Sequence, residues 1–273
     1  MPDKPEFVSP SGVAYYATPA TGEELEKLTE ALQQAEQAYR ADPEDVEKLI
    51  MFGRRLAYLW RYHEAIDVFC MGIKRHPHNP MLYRHRGHRY ISIRDFRRAE
   101  ADLAHAANLK DDSFEIWYHL GLARWLLGDF NAALQAYRAS YRTAADDNFR
   151  AAASNWLWLT LRRTGHDDEA KDLLKGLQPA TGEEAINYYL CLLYKGEKPE
   201  QEISAMMESS GIIHVTLGFG IGAWHLVSGR PGQARNYFEK VLEGSYWPGF
   251  GFIAAETELQ RTNPATARPT GPE

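Results

Sequence analysis

Residues 114–147 of the 273-residue chain read FEIWYHLGLARWLLGDFNAALQAYRASYRTAADD. In each half of this stretch, apolar residues recur three and four positions apart, which is the spacing of one face of an α-helix. The two preceding segments of the same length, 46–79 and 80–113, place similar residue classes at the same positions. Three repetitions without a gap predict that the chain is a series of helical hairpins.

Small residues mark the point where the two helices of each hairpin are expected to cross. Each of the three units has one small residue on each helix, twelve positions apart, which lets the two backbones approach closely. These pairs are Gly53 and Ala65, Gly87 and Ala99, and Gly121 and Ala133. The large residues Phe69, Leu103 and Tyr137 are expected to fill the gap towards the next hairpin.

The third unit resembles the tetratricopeptide repeat, a family of paired-helix repeats. The residues that carry the resemblance are Trp117, Leu120, Gly121, Ala133 and Tyr137. The likeness extends over about three quarters of the chain, residues 46–245, with looser spacing after residue 147. It implies an all-α, right-handed superhelical solenoid in which the first helices of the hairpins line a concave groove. It also implies an adaptor rather than an enzyme, with no cofactor.

The same spacing divides the chain into about six hairpins between an N-terminal and a C-terminal capping helix. We expect an extended segment over 1–20, a single solenoid domain over 21–261 and a disordered tail over 262–273. The capping helices are predicted over 23–40 and 250–261, and the repeats over about 46–79, 80–113, 114–147, 151–181, 182–214 and 215–248. The fifth repeat is degenerate, because the small residue expected at Gln201 is missing.

The composition is that of a folded protein without a globally basic surface. The net charge is −6, which disfavours general binding to nucleic acid or membranes. Cys70 and Cys191 are too few for a disulfide framework, so reduced thiols are expected. Residues 1–16 have no signal-peptide pattern, which favours a cytoplasmic protein, with a periplasmic or secreted one as the alternative if a leader was removed. The uncharged stretch from Ser209 to Gly229 contains five glycines and is expected to be internal rather than a membrane span.

Positive charge is concentrated in the second repeat. From Lys74 to Arg98 there are eight Lys or Arg and one acid, Asp95, which gives this stretch a charge of +7. Arginines on the outer face of a helix often serve only to solvate it. The family resemblance instead places one set of residues in the groove: Arg54, Tyr58, Arg84, His88, Tyr118, Trp125, Asn155 and Arg162. Cations interleaved with aromatic side chains suit an acidic or C-terminal peptide, so a protein or peptide partner of acidic character is expected.

The chaperone-tail clamp of some family members is not expected in this chain. That clamp needs Lys and Asn on the first helix, Asn on the second, and Lys and Arg on the third. The corresponding positions hold Ile50, Arg54, His85, Glu115 and His119. Four of the five differ in chemical kind, so the sequence argues against recognition of chaperone tails.

Two other functions stay open. One is binding of RNA or another nucleic acid through the second repeat, with Tyr83 and Tyr90 as stacking residues, although the acidic chain disfavours it. The other is an enzyme with an unrecognised site near His88 and His119, for which the sequence supplies no motif. A zinc site there is disfavoured because a fourth ligand is missing.

Aromatic residues cluster after the last recognisable repeat, at Tyr246, Trp247, Phe250 and Phe252. The apolar end of such an array has to be covered. The cover is either the tail helix of the same chain or a second copy of the protein, which would make a homodimer through this segment.

Overall fold

The computed structural model describes residues 4–9, 12–17, 20–182, 185–209 and 211–262, and these are mostly helical. The helices are, in chain order, α1 (Gly22–Ala41), α2 (Val46–Tyr58), α3 (Tyr62–Arg75), α4 (Pro80–Ser92), α5 (Phe96–Leu109), α6 (Phe114–Leu127), α7 (Phe130–Thr143), α8 (Asp147–Arg163), α9 (Asp167–Leu173), α10 (Ala185–Lys195), α11 (Glu200–Ala205), α12 (Ile212–Val227), α13 (Pro231–Leu242) and α14 (Phe250–Thr262). Two short antiparallel strands, β1 (Phe7–Val8) and β2 (Ala14–Tyr15), precede them. The all-α helical-repeat class is therefore confirmed. The predicted disordered tail lies outside the described residues, apart from Thr262, which ends α14.

The chain divides into two compact units, residues 1–127 and 128–273, and each is described by itself. The first contains β1, β2 and α1–α6, and the second contains α7–α14. The third predicted repeat begins in the first unit and ends in the second. The single domain predicted over 21–261 stays a prediction.

Side-chain caps fix the start of the helices that carry the candidate site. The Asp45 carboxylate accepts hydrogen bonds from two backbone N–H groups in the first turn of α2. Asn79 accepts one from the backbone N–H of Met81 in α4, where Pro80 takes the first helical position and needs no N–H partner. Each such cap stabilises its helix by about 1 kcal/mol. The start points of α2 and α4 therefore follow directly from the sequence.

The hairpins of the first unit cross at the predicted glycines. A Cβ atom added to Gly53 on α2 would lie 2.5 Å from Phe69 Cε1 on α3, and one added to Gly87 on α4 would lie 2.8 Å from Leu103 Cγ on α5. These distances leave no room for a methyl group unless the neighbouring side chain moves. Phe69 and Leu103 thus cover the glycine of their own hairpin, a contact that was not expected from the sequence. The Phe69 ring also reaches the next hairpin, where it stacks on His85 at 5.6 Å.

The second unit departs from a regular repeat. Its helix α9 has 7 residues and α11 has 6, whereas α7 has 14. The helices α10 and α11 occupy the degenerate fifth repeat. Trp156 on α8 stacks on Phe219 of α12 with ring centroids 5.1 Å apart, so the first helices of the fourth and sixth repeats touch directly. Tyr137 and Phe238 extend this contact into a row of four stacked rings.

The C-terminal helix α14 packs against α12 and α13 and closes the second unit. Its buried Glu258 carboxylate accepts hydrogen bonds from the guanidinium groups of Arg163 and Arg261. Trp247 and Phe252, two of the clustered C-terminal aromatic residues, are buried within the chain. Homodimer formation through this segment stays a prediction.

The uncharged stretch from Ser209 to Gly229 contains α12, an internal helix of 16 residues whose inner positions are buried. None of the helices in the described part of the chain has the length and the apolar character needed to cross a bilayer.

The crossing at Gly53 gives a first prediction. We expect Gly53→Ala to lower the free energy of unfolding by about 1–3 kcal/mol, because the new methyl group meets the Phe69 ring. Urea denaturation followed by circular dichroism measures the change. Gly176→Ala is the matched control, since nothing lies within 4 Å of a Cβ atom added there. An equal loss of stability in the two variants would contradict the close crossing.

Candidate functional site

The helices α2 and α4 line a cavity of about 190 Å³ in the first unit. Helix α2 contributes Arg54 and Tyr58, and α4 contributes Arg84 and His88. Each pair is four residues apart, which places its members on one face of the helix. The full lining consists of Arg54, Ala57, Tyr58, Phe69, Arg84, His85, His88 and Arg89. Four of the eight predicted groove residues therefore meet at one place.

Arg84 holds a buried guanidinium group that has no carboxylate partner among the described residues. Its Nη1 donates to Nδ1 of His85 at 2.9 Å, while its Nε is shielded from solvent and has no hydrogen-bond partner in the structure. Burial lowers the pKa of Arg84 to about 10; Glu115 opposes this change, and Arg89 and Arg54 add to it. A buried donor without a partner costs about 1–3 kcal/mol, and more when it is charged.

The histidines of the cavity are neutral at physiological pH. Burial, followed by the charge of Arg84, lowers the pKa of His85 to about 2. Burial likewise lowers the pKa values of His88 and His119 well below the usual range. The His88 and His119 rings lie with their centroids 4.4 Å apart, and His119 Nδ1 donates to the Glu115 carbonyl oxygen. The positive charge of the cavity is therefore carried by its arginines.

Arg54 and Arg89 bring the number of guanidinium groups in the lining to three. Arg54 Nη2 donates to the Tyr58 hydroxyl at 2.9 Å, and Tyr58 is 43% exposed, so solvent reaches this wall of the cavity. The Arg89 guanidinium lies over the Tyr62 ring at 5.1 Å from its centroid. Within the described residues, no Asp or Glu belongs to the lining. Such a group of cations can hold an anion, and guanidinium groups match a carboxylate with two parallel hydrogen bonds.

The sequence did not place His85 or Arg89 in the predicted groove, although both line the cavity. His85 lies next to Arg84 on α4, and its ring fills the space between Phe69 and the Arg84 guanidinium. Arg89 reaches the cavity because its long side chain runs along the Tyr62 ring. The one available signal was the density of arginines on α4, which does not tell which of them point inwards.

The other predicted groove residues of the first unit lie elsewhere. Tyr118 is half-buried and stacks on Phe114, with ring centroids 5.4 Å apart. Trp125 is 0% exposed and belongs to the hydrophobic core. Neither residue lines the cavity.

In the second unit, Asn155 and Arg162 have different surroundings. Asn155 is 3% exposed; its side chain donates to Asn187 Oδ1 and accepts from the Tyr194 hydroxyl. Arg162 pairs with Asp167 at 3.1 Å and donates to the backbone carbonyl of Val227. Asn155 is therefore part of a buried polar network, and Arg162 lies nearer the surface.

Arg162 also lines a recess of about 330 Å³ in the second unit, next to the stacked rings of Trp158 and Tyr194. The recess has three further cations, Lys171, Lys175 and Lys195. Each of the three pairs with a neighbouring Asp or Glu carboxylate. Its charge is thus largely neutralised, unlike that of the cavity in the first unit.

No group of three or more His, Cys, Asp or Glu side chains is arranged to hold a metal ion in the part of the chain that the structure describes. Around His88 and His119 the structure brings two neutral imidazole rings together and surrounds them with arginines.

The unpaired guanidinium of Arg84 gives a second prediction. We expect Arg84→Met to raise the free energy of unfolding by about 1 kcal/mol, because an apolar chain of similar length replaces a buried charge. Arg86→Met is the matched control on the same helix, where the arginine makes two hydrogen bonds to the Asp102 carboxylate. That variant is expected to lose about 3 kcal/mol, since it leaves a buried carboxylate unpaired. Urea unfolding of both variants tests this, and equal losses would show that Arg84 is an ordinary structural residue.

Comparison with known proteins agrees with the repeat pattern. Residues 114–147 match the family model of the tetratricopeptide repeat. RNA polymerase II-associated protein 3 of Rattus norvegicus is 26% identical over 167 residues, which cover 59% of this chain and 24% of that protein. Heat shock protein sti1 homolog of Schizosaccharomyces pombe is 34% identical over 86 residues, which cover 32% of this chain and 15% of that protein. The chain thus spans less than a quarter of the length of these curated relatives.

The fold is similar to that of a solved helical-repeat structure. YrrB, described as a TPR protein with an unusual peptide-binding site, matches with a TM-score of 0.51 and 14% sequence identity. The match covers 84% of this chain and 100% of that one. At this level of identity the likeness concerns the fold, a succession of paired helices.

Proposed function

We propose that this chain, a tetratricopeptide-repeat protein, is a non-catalytic interaction scaffold that binds an acidic segment of a partner protein. The anchor is the cavity of the first unit, where Arg54, Tyr58, Arg84 and His88 meet. Tyr118 and Arg162 are candidates for contacts outside the anchor. The cytoplasmic location predicted from the sequence is part of this proposal.

The observation that supports the proposal most directly is the environment of the buried Arg84 guanidinium. A guanidinium that is buried next to two other arginines, and to which no carboxylate of the described residues is hydrogen-bonded, destabilises the free protein. A bound anion would accept the hydrogen bond that the Arg84 Nε does not make within the chain. The stability lost in the free protein would then be regained in the complex.

A carboxylate is the ligand group that suits this cavity. Three planar guanidinium groups offer several parallel pairs of N–H donors, and the Tyr58 hydroxyl adds a polar group at the exposed wall. The Phe69 ring and Ala57 supply an apolar side, against which the carbon chain of a Glu or of a C-terminal residue would pack. The carboxylate therefore comes from an acidic side chain or from a chain terminus.

The distribution of the other basic residues disfavours the nucleic-acid alternative. Arg86 is bound to Asp102, and Arg98 is paired with Asp95. The Tyr83 hydroxyl donates to the Pro77 carbonyl. Two of the eight basic side chains of this stretch are thus paired within the hairpin, and two more, Arg84 and Arg89, line the cavity. This distribution favours a local cationic cavity over a continuous surface that could follow a phosphate backbone.

Peptide binding to the full chain tests the proposal. Two fluorescein-labelled probes separate the two sources of a carboxylate: a Glu-rich peptide with an amidated C terminus, and a Gly/Ser peptide that ends in a free carboxylate. We expect the chain to bind at least one of them, and Arg84→Gln or Arg54→Gln to weaken that binding about 10–100-fold, as measured by fluorescence anisotropy.

The exposed Arg97 on α5 provides the control. Arg97→Gln removes the same charge from the surface outside the cavity, so its affinity is expected to stay within about twofold of the native value. Equal losses in Arg84→Gln and Arg97→Gln would mean that binding follows overall charge. Absence of binding to both probes would contradict the proposal.

A further inference from the structure

The turn between the two helices of every hairpin contains one residue in the left-handed conformation. In four hairpins this residue is a glycine: Gly128, Gly165, Gly196 or Gly229. In the first two hairpins it is Trp60, with φ of 56°, and Arg94, with φ of 62°. Glycine adopts this conformation without strain, whereas a residue with a side chain does not. Something in the first unit therefore has to stabilise two strained turns.

The N-terminal strand pair contacts one of these turns through Arg94. Phe7 on β1 and Tyr15 on β2 stack with their rings 6.0 Å apart and nearly parallel. The Arg94 guanidinium lies 4.7 Å from the Phe7 ring centroid and 5.7 Å from that of Tyr15. Two cation–π contacts to one guanidinium are a favourable interaction that a glycine at this position could not make.

The same strand pair contacts the other turn through Glu6. Its Oε2 accepts hydrogen bonds from the backbone N–H groups of Tyr62 and His63, both at 3.0 Å, at the start of α3. A carboxylate is favourable there because the first N–H groups of a helix lack partners within the helix. Trp60 lies two residues before this point. The segment that precedes α1 therefore holds the turns of both hairpins.

These turns are continuous with the walls of the cationic cavity. Tyr58, which lines the cavity, ends α2 just before the first turn. Tyr62 follows the turn, and its ring supports the Arg89 guanidinium that also lines the cavity. Arg89 itself lies in the last turn of α4, just before the second turn. A change in either turn would therefore displace side chains of the cavity.

We propose that residues 4–9 and 12–17 act as a clamp on the first two hairpins and thereby set the arrangement of the cationic cavity. Glu6, Phe7, Tyr15 and Arg94 are positioning residues in this device, and none of them lines the cavity. The effect on the cavity rests on the proposed function, whereas the clamp itself does not.

Thermal unfolding of the full chain tests the clamp. The change Arg94→Gly is made in the native chain and in a Phe7→Ala/Tyr15→Ala background. With both rings present, we expect the change to lower the melting temperature by about 2–4 °C, because the cation–π contacts are lost. Without the rings, the same change relieves the strain of the turn, while the hydrogen bond from Arg94 Nη1 to the Ser92 carbonyl oxygen is lost in both backgrounds. We therefore expect the change to lower the melting temperature less than in the native chain, or to raise it. The same shift in the two backgrounds would overturn the clamp.

Val13→Ala is the control for disturbance of the strand pair in general, since Val13 is on the same segment and half exposed. We expect Arg94→Gly to lower the melting temperature of the Val13→Ala variant by as much as it lowers that of the native chain. The conservative double variant Phe7→Tyr/Tyr15→Phe keeps two aromatic rings. In this background too, we expect Arg94→Gly to lower the melting temperature as it does in the native chain. If either variant reversed the effect of Arg94→Gly, the assignment to the two rings would be wrong.

Binding of the Glu-rich and free-carboxylate peptides, measured well below the melting temperature, tests the link to the cavity. We expect the Phe7→Ala/Tyr15→Ala variant to bind more weakly by about 3–10-fold, and Phe7→Tyr/Tyr15→Phe to bind as the native chain does. Unchanged binding in the first variant would overturn the link and leave the proposed function intact. If the native chain bound neither peptide, the proposed function would fail, and with it the link, while the thermal experiment would still decide the clamp.

Discussion

Contact between two helices at a residue that has no side chain is the constraint on which the first unit depends. The Phe69 ring lies 2.5 Å from where a Cβ atom of residue 53 would be, and the Leu103 side chain lies 2.8 Å from the corresponding point at Gly87. The helices of each hairpin are thereby close enough for the next first helix to pack against both, as α4 does against α2 and α3. The cavity exists because α2 and α4 become neighbours in this way. The glycines thus contribute to bringing the arginines on the two helices together.

Arg84 and Arg86 lie two positions apart on α4 and have different roles, because they face different neighbouring helices. Arg86 points towards α5, where Asp102 neutralises it with two hydrogen bonds. Arg84 points towards α2 and meets Arg54 and Arg89 in the lining of the cavity. Residues two apart lie on different sides of a helix, so one helix carries both a structural ion pair and an uncompensated charge. The neutral histidines beside Arg84 fill space without adding repulsion.

The sequence predicts the repeating parts of this structure well and the irregular parts poorly. The spacing of small and large residues predicted the hairpins, and the repeat predicted over 80–113 begins where α4 begins, at Pro80. Glycines hold the left-handed turn position from Gly128 onwards, as is usual for this conformation. Trp60 and Arg94 adopt the same conformation without any local signal, since the compensating contacts come from a segment far away in the chain. Repeat position alone could not tell that Arg84 lines a cavity while Trp125 is buried in the core, because burial depends on how neighbouring helices close over each face.

The stacking of Trp156 on Phe219 has a consequence for how the protein can vary. In an ideal solenoid every repeat touches only its immediate neighbours, so whole repeats are gained or lost in evolution with little effect on the rest. Here the fourth and sixth repeats share an aromatic contact that passes over the fifth. Duplication or loss of a repeat at this place would separate the two rings, so we expect this contact to restrict changes in the number of repeats in the second unit.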